Sequence, residues 1–168
     1  RVMLRNRRIG CSVSGVAQFI TKNGMGELQN WLETGYDTIQ KWDNQYSDWF
    51  AVPKSIKTTS VKPSGTVSLL VGATPGMHYP ESRFYIRRMR LSKHSELLEP
   101  LKKANYPLEP AFGSEDTTMV VEVPVDVGEG IRTAAELSIW EQFSLAAFLQ
   151  RHWADNQVSC TATFNPET

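Results

Sequence analysis

Residues 58–72 read TTSVKPSGTVSLLVG, and the corner at Pro63-Ser64-Gly65 is where this chain has the residue types to do chemistry. Thr58, Thr59 and Val61 form a short β-branched run that reads as a strand. Pro63 stops that strand, because it has no N–H to give to a ladder. Gly65 lets the backbone turn sharply and approach a ligand with no Cβ in the way. An apolar, potentially helical segment follows from Thr66, so Ser64, Thr66 and Ser68 surround a first turn whose N–H groups lack partners and whose dipole end is positive. Amides and hydroxyls so placed make a cradle for phosphate. Lys62, just before it, either adds charge to the cradle or is simply solvated.

The 168 residues suffice for one domain with a real core. Hydrophobic residues make up 40%, charged residues 21%, and the formal net charge is zero, as in an ordinary globular protein. No apolar run approaches the roughly 18 residues of a membrane span, so no membrane partner is expected. The opening RVMLRNRRIG is basic but has no apolar stretch of the signal-peptide kind, and a cytoplasmic setting is expected. With no initiator Met, and with TFNPET directly after a strand-like run, both ends read as cut and the chain as an internal piece of a longer protein. Cys11 and Cys160 fit no zinc spacing and read as two free thiols; no metal is expected. Zero net charge hides an asymmetry. Arg1, Arg5, Arg7 and Arg8 crowd the start, and Arg83, Arg87, Arg88, Arg90 and Lys93 fall in one short stretch. Between 109 and 141 eight acidic residues face only Arg132. Such blocks are either solvated surface or the field that draws an anionic ligand.

The elements that must hold the corner alternate between helix and strand, which implies an α/β architecture. Val16, Phe19 and Ile20 recur at helical spacing up to Asn23-Gly24, and a longer helix is expected over 27–49, weakened at Gly35. Residues 83–91 read as a strand, and 92–105 as a helix that must restart at Pro100, which fits best as a first-turn residue. Met119, Val121, Val123 and Val125 share one face of a strand whose Pro124 predicts an edge or a strand end. Thr133 and Glu136 have capping-box spacing and are expected to open a helix running to about 154, apolar on most sides and therefore buried. A last strand is expected over 158–164.

Four stretches, 5–19 (RNRRIGCSVSGVAQF), 55–80 (SIKTTSVKPSGTVSLLVGATPGMHYP), 84–92 (FYIRRMRLS) and 152–164 (HWADNQVSCTATF), resemble the large catalytic subunit of ribonucleotide reductases. The wording is most similar to the adenosylcobalamin-dependent, ribonucleoside-triphosphate type. The resemblance implies part of the C-terminal half of a ten-stranded α/β barrel, spanning residues 1–168, in an enzyme that replaces the ribose 2′-hydroxyl with hydrogen by thiyl-radical chemistry. It matches Pro63, Ser64, Gly65, Thr66, Val67 and Ser68 to the loop that holds the substrate phosphates. It places the loop carrying His78 near the active-site end of the barrel, and Arg87, Arg88 and Arg90 on a recurrent basic strand that either contacts phosphate or makes structural ion pairs.

The family's chemistry also needs an Asn-x-Cys-x-Glu radical loop, two redox cysteines and a C-terminal pair that takes electrons from a thioredoxin-like reductant. None of these motifs occurs in the sequence, so no catalytic residue is assigned, Cys11 and Cys160 included, and the segment alone is expected to be inactive. Half a barrel would also leave strand edges unpaired. Three other readings compete. One is a reductase subunit that takes its radical from a metal-containing partner protein. Another is a non-enzymatic nucleotide- or anion-binding module, though neither phosphate-loop glycine motif is present. The third is RNA binding through Phe84 and Tyr85 between arginines, which the missing RNP pattern and the acidic second half oppose, so no nucleic-acid polymer is expected.

Overall fold

A computed structural model describes residues 2–65 and 67–164, with Leu70 by its backbone alone. In chain order the elements are α1 (Val2–Asn6), β1 (Arg8–Ser12), α2 (Val16–Trp49), β2 (Lys57–Ser60), a 3-10 turn (Val67–Val71), β3 (Phe84–Ser92), α3 (Leu98–Lys103), β4 (Leu108–Pro110), β5 (Thr118–Asp126), a second 3-10 turn (Ala134–Glu136) and α4 (Ile139–His152). They sort into two units: one built from the chain up to Glu81 and again from Val127, the other from Ser82–Asp126.

In the first unit β1 and β2 are parallel, with Cys11 opposite Thr59 and Ser12 opposite Ser60. Parallel neighbours need a long crossover, and α2 provides it. Glycine at position 24 adopts φ 82°, ψ 170° and breaks α2 where the Asn23-Gly24 pair predicts a stop. Phe19 and Trp31, 5.5 Å apart between ring centroids, pack across that break. Gly35 has a packing reason: a Cβ there would lie 3.2 Å from the Trp153 ring, so the indole rests on bare helix backbone. Val16, Leu28, Leu32, Val61, Leu145, Leu149 and Trp153 meet in the core, with Cys160 half-buried against it.

Two expectations about the last third are corrected here. The capping box at Thr133 and Glu136 closes only a 3-10 turn, because Leu137 is extended; a second box, Ser138 with Glu141, starts α4. That helix buries Leu145 and Leu149 but leaves Trp140 76% exposed, so it is not buried all round. The strand expected over 158–164 reduces to one parallel bridge, Val61 with Val158. Side chains take the backbone groups that a ladder would use. Gln142 bonds both the N–H (3.0 Å) and the carbonyl (2.8 Å) of Thr163, and the N–H of Thr161 donates to His78 Nε2 at 2.9 Å.

The second unit is an antiparallel sheet in the order β3-β5-β4. Pro124 therefore lies in the central strand and not at a sheet edge, but among the last three residues of β5, in keeping with a strand end. It is tolerated because β4 pairs only with residues 119–121, leaving β3 as the one strand beside Pro124 among the described residues. The helix expected over 92–105 is confined to α3, with Pro100 in its first turn.

Candidate phosphate-binding corner

The chain leaves β2 through Val61, whose amide donates to Gln157 O at 3.0 Å and whose carbonyl accepts from Ser159 N at 2.9 Å. Next the Lys62 N–H donates to Ser12 Oγ at 3.0 Å, and the corner begins. Ser64 sits at φ 41°, a left-handed conformation that few non-glycine residues adopt. Its carbonyl accepts the Ser68 N–H (3.1 Å) and hydroxyl (2.7 Å), which folds the following residues back on it. Ser68 is buried, so its hydroxyl closes the corner from within. The Ser64 hydroxyl lies 2.5 Å from that of Ser14, just ahead of α2. The N–H groups of Gly65 and Val67 donate to no acceptor among the described residues. Pro63 and Val67 are exposed; Ser64 and Gly65 are half-buried. Thr66 lies outside the described residues. The segment after the corner is a 3-10 turn of five residues, shorter than the sequence suggested.

Gln18, on α2, fixes the far side. Its amide donates to Gly72 O (3.0 Å) and Val127 O (3.1 Å), and its carbonyl accepts from Thr74 N (2.8 Å). Gly15 N donates to Thr74 O at 2.8 Å, and Val16 N to Gly76 O at 3.3 Å. An amide on a helix surface gives no sign in sequence of this clamping role.

Beneath the corner, Asp155 grips β2. Its carboxylate accepts the N–H groups of Thr58 (3.0 Å) and Thr59 (2.9 Å) and both threonine hydroxyls, at 3.2 and 3.0 Å. Burial pushes its pKa up, but these donors outweigh burial and hold the carboxyl below the usual range. Asn156 Nδ2 bridges Ile9 O (3.0 Å) and Thr59 O (2.7 Å), tying β1 to β2, and the Trp153 indole donates to Ser60 O at 2.9 Å. Sequence reasoning missed this set. The available signal was a Trp-Ala-Asp-Asn run, whose Asp and Asn readily bond nearby backbone. Beside the corner opens a groove of 550 Å³ lined by Arg8, Lys57, Lys62, Pro63 and Asp155, among others. Three cations against one carboxylate already saturated with donors leave it net positive.

Other candidate residues are committed elsewhere. His78 accepts from Thr161 N at Nε2, while Nδ1 is 3.1 Å from Pro75 O; the proton therefore sits on Nδ1 and both ring nitrogens are engaged. Arg7 bonds Ser47 Oγ (2.9 Å) and Pro53 O (2.7 Å) and pairs with buried Asp43 at 3.6 Å, so it staples the end of α2. In the second unit Arg88 pairs with Glu122 at 3.2 Å and with Glu109, which is the structural alternative for that arginine. Arg87 Nε is buried with no partner among the described residues. Arg90 lines a groove there with Arg88 and Phe112. Cys11 is exposed and Cys160 half-buried, and both are free thiols.

No protein-family model matches the chain. It is 60% identical over 167 residues to an adenosylcobalamin-dependent ribonucleoside-triphosphate reductase of Euglena gracilis, covering 99% of this chain and 23% of that protein. A probable enzyme of the same name from Dictyostelium discoideum is 59% identical over 166 residues, covering 99% and 22%. That of Lactobacillus leichmannii is 35% identical over 196 residues, covering 97% and 26%. The crystal structure of a B12-dependent (class II) ribonucleotide reductase matches with a TM-score of 0.77 and 35% identity, over 97% of this chain and 27% of that one. The chain thus spans under a quarter of the length of its first two relatives. The fold likeness accords with a barrel segment, here present as small sheets with helical crossovers. Along essentially its whole length, the chain is thus similar to one segment, about a quarter, of adenosylcobalamin-dependent, class II ribonucleotide reductases.

Proposed function

We propose that this chain supplies the phosphate-holding corner of an enzyme that converts ribonucleoside triphosphates to 2′-deoxyribonucleotides. One observation carries the reading: the amides of Gly65 and Val67 have no acceptor among the described residues, in the same corner whose Ser64 hydroxyl pairs with that of Ser14. Unpaired backbone amides close to hydroxyls in the chain can bind an anion without needing a lysine in contact. Pro63, Ser64, Gly65, Thr66, Val67 and Ser68 are the residues assigned to this role. Ser68 braces the corner from inside, and Arg8, Lys57 and Lys62 set a positive field over the adjoining groove. The corner's task is to bind and orient. Anchoring the phosphate tail fixes where the ribose lies, and such anchoring turns an encounter into an oriented, effectively intramolecular reaction.

Adenosylcobalamin, when bound, supplies the unpaired electron that starts the chemistry. The corner and the groove beside it suit a phosphate chain, and no residue of this chain is assigned to the cofactor. Nor is a radical cysteine assigned: Cys11 and Cys160 lie outside any Asn-x-Cys-x-Glu sequence. A thioredoxin-like reductant and a cytoplasmic setting complete the proposal for the whole enzyme.

The test is Gly65→Val in the full-length enzyme. A branched side chain where the backbone meets the ligand removes hydrogen bonds to a charged group, worth about 1.5–3 kcal/mol each. KM for the ribonucleoside triphosphate should rise by about 10- to 100-fold with circular dichroism unchanged. Nucleotide binding equal to that of the parent would overturn the assignment.

A further inference from the structure

Ser14 is exposed and stands directly before Gly15, the N-cap of α2, yet its hydroxyl oxygen lies 2.5 Å from that of Ser64, fifty residues later in the chain. The contact is held from both sides. Behind Ser14, Ser12 Oγ accepts the Lys62 N–H at 3.0 Å; ahead of it, Gly15 N donates to Thr74 O at 2.8 Å and Val16 N to Gly76 O at 3.3 Å. The residues flanking Ser14 are therefore bonded to the chain on both sides of the corner. Within the corner, the Ser64 carbonyl is already occupied by Ser68 N and Oγ at 3.1 and 2.7 Å. The direction of the Ser64 hydroxyl is left to Ser14, its one hydrogen-bond partner among the described residues.

Each hydroxyl carries one proton and two acceptor lone pairs. Only one proton lies between the two oxygens. When an anion accepts the Ser64 proton, the proton between the oxygens has to come from Ser14. A chain in which one hydroxyl donates to a second, and the second to an anion, polarises in a single direction and strengthens both bonds.

We infer that Ser14 is a positioning residue for the corner: by donating to Ser64 Oγ, it aims the Ser64 hydroxyl proton at the phosphate of a bound ribonucleoside triphosphate. This rests on the reading of residues 63–68 as the phosphate corner. Ser14 does not itself touch the substrate. Its contribution is to remove the rotamer in which Ser64 would point its proton back toward α2.

The experiment uses the full-length enzyme with Ser14→Ala, Ser14→Thr, Ser14→Val, Ser64→Ala and the Ser14→Ala/Ser64→Ala double variant. Steady-state kinetics are measured with a ribonucleoside triphosphate, and binding is compared with the matching nucleoside, which lacks phosphates. Ser14→Ala should raise KM about 5- to 10-fold, the loss of one hydrogen bond, with kcat unchanged. Nucleoside affinity should stay at the parent value. Ser14→Thr should restore KM, whereas Ser14→Val, of nearly the same shape without the hydroxyl, should not. In the Ser64→Ala background Ser14→Ala should add nothing. An unchanged KM in Ser14→Ala beside a raised KM in Ser64→Ala would overturn the role of Ser14 and leave the phosphate corner standing. Unchanged KM in Ser64→Ala as well would remove both. Equal KM for the Thr and Val variants, or a further loss in the double variant, would mean that Ser14 acts by packing, and would also overturn the inference.

Discussion

Gly76 and Lys62 meet at bare backbone: a Cβ placed on Gly76 would lie 2.3 Å from the Lys62 carbonyl oxygen, and Gly76 itself adopts φ 54°. The returning loop thus passes against the residue that leads into the corner, with no room for a side chain. Gly76→Ala must push Lys62 and Pro63 outward and strain its own backbone, at about 2–4 kcal/mol. Thermal denaturation should show a lowered Tm, and substrate KM should rise with it. A variant as stable as the parent would show that the loop can give way.

Asp155 is the acceptor on which β2 depends. Asp155→Ala leaves the Thr58 and Thr59 amides without their carboxylate, in a strand whose threonines are fully buried. The expected loss is about 2–4 kcal/mol in urea unfolding. Because the folded pKa of Asp155 is depressed, its contribution is complete above the ordinary Asp range and fades on acidification below it. Asp155→Asn should therefore weaken the protein near neutral pH more than in acid.

Glu141 makes a pH prediction with a number. Its carboxyl pKa is drawn down from the ordinary 4.5 to about 2, chiefly by the hydrogen bond from Arg132 and then by the Ser138 backbone and hydroxyl. A carboxyl with a depressed folded pKa contributes fully above its unfolded value and loses that contribution as pH falls toward the folded one. The stabilisation from Glu141 should decline between about pH 4.5 and 2. In Glu141→Gln that part of the acid limb should flatten when Tm is followed against pH. Superimposable acid limbs would remove Glu141 from the account.

Cys160→Ser puts a hydroxyl where a thiol packs against the core beside Val158. Stability should fall by about 1 kcal/mol while radical turnover of the full-length enzyme persists. Lost turnover in a stably folded variant would give this cysteine a chemical role.

Much of the scaffold was legible because its signals are local. The break at Asn23-Gly24 and the end of β2 ahead of Pro63 each follow from one residue's backbone limits, and the helix after the break from a repeating apolar stripe. The proposed corner was legible as a composition, Pro-Ser-Gly followed by small hydroxyl residues. Its closure was not: Ser64 at positive φ goes against the usual preference of serine, Ser14 reaches it from just ahead of α2, and Gln18, on α2, holds the far side. The last strand was misread because alternating side chains report which face is apolar, not whether a ladder forms. There the amides of Thr161 and Thr163 went to His78 and Gln142. The two capping boxes, at Thr133 and Ser138, carry the same spacing; extended Leu137 between them decided which one started a helix.

The grip of Asp155 on Thr58 spans 97 positions of chain. During synthesis the wall under the corner therefore waits for residues made long after it. At about 5–20 residues per second the delay is roughly 5–20 s, during which β2 must be kept from other partners. A nascent chain arrested shortly before Asp155 should leave Thr58 and Thr59 open to amide exchange, and one extended past Asn156 should protect them.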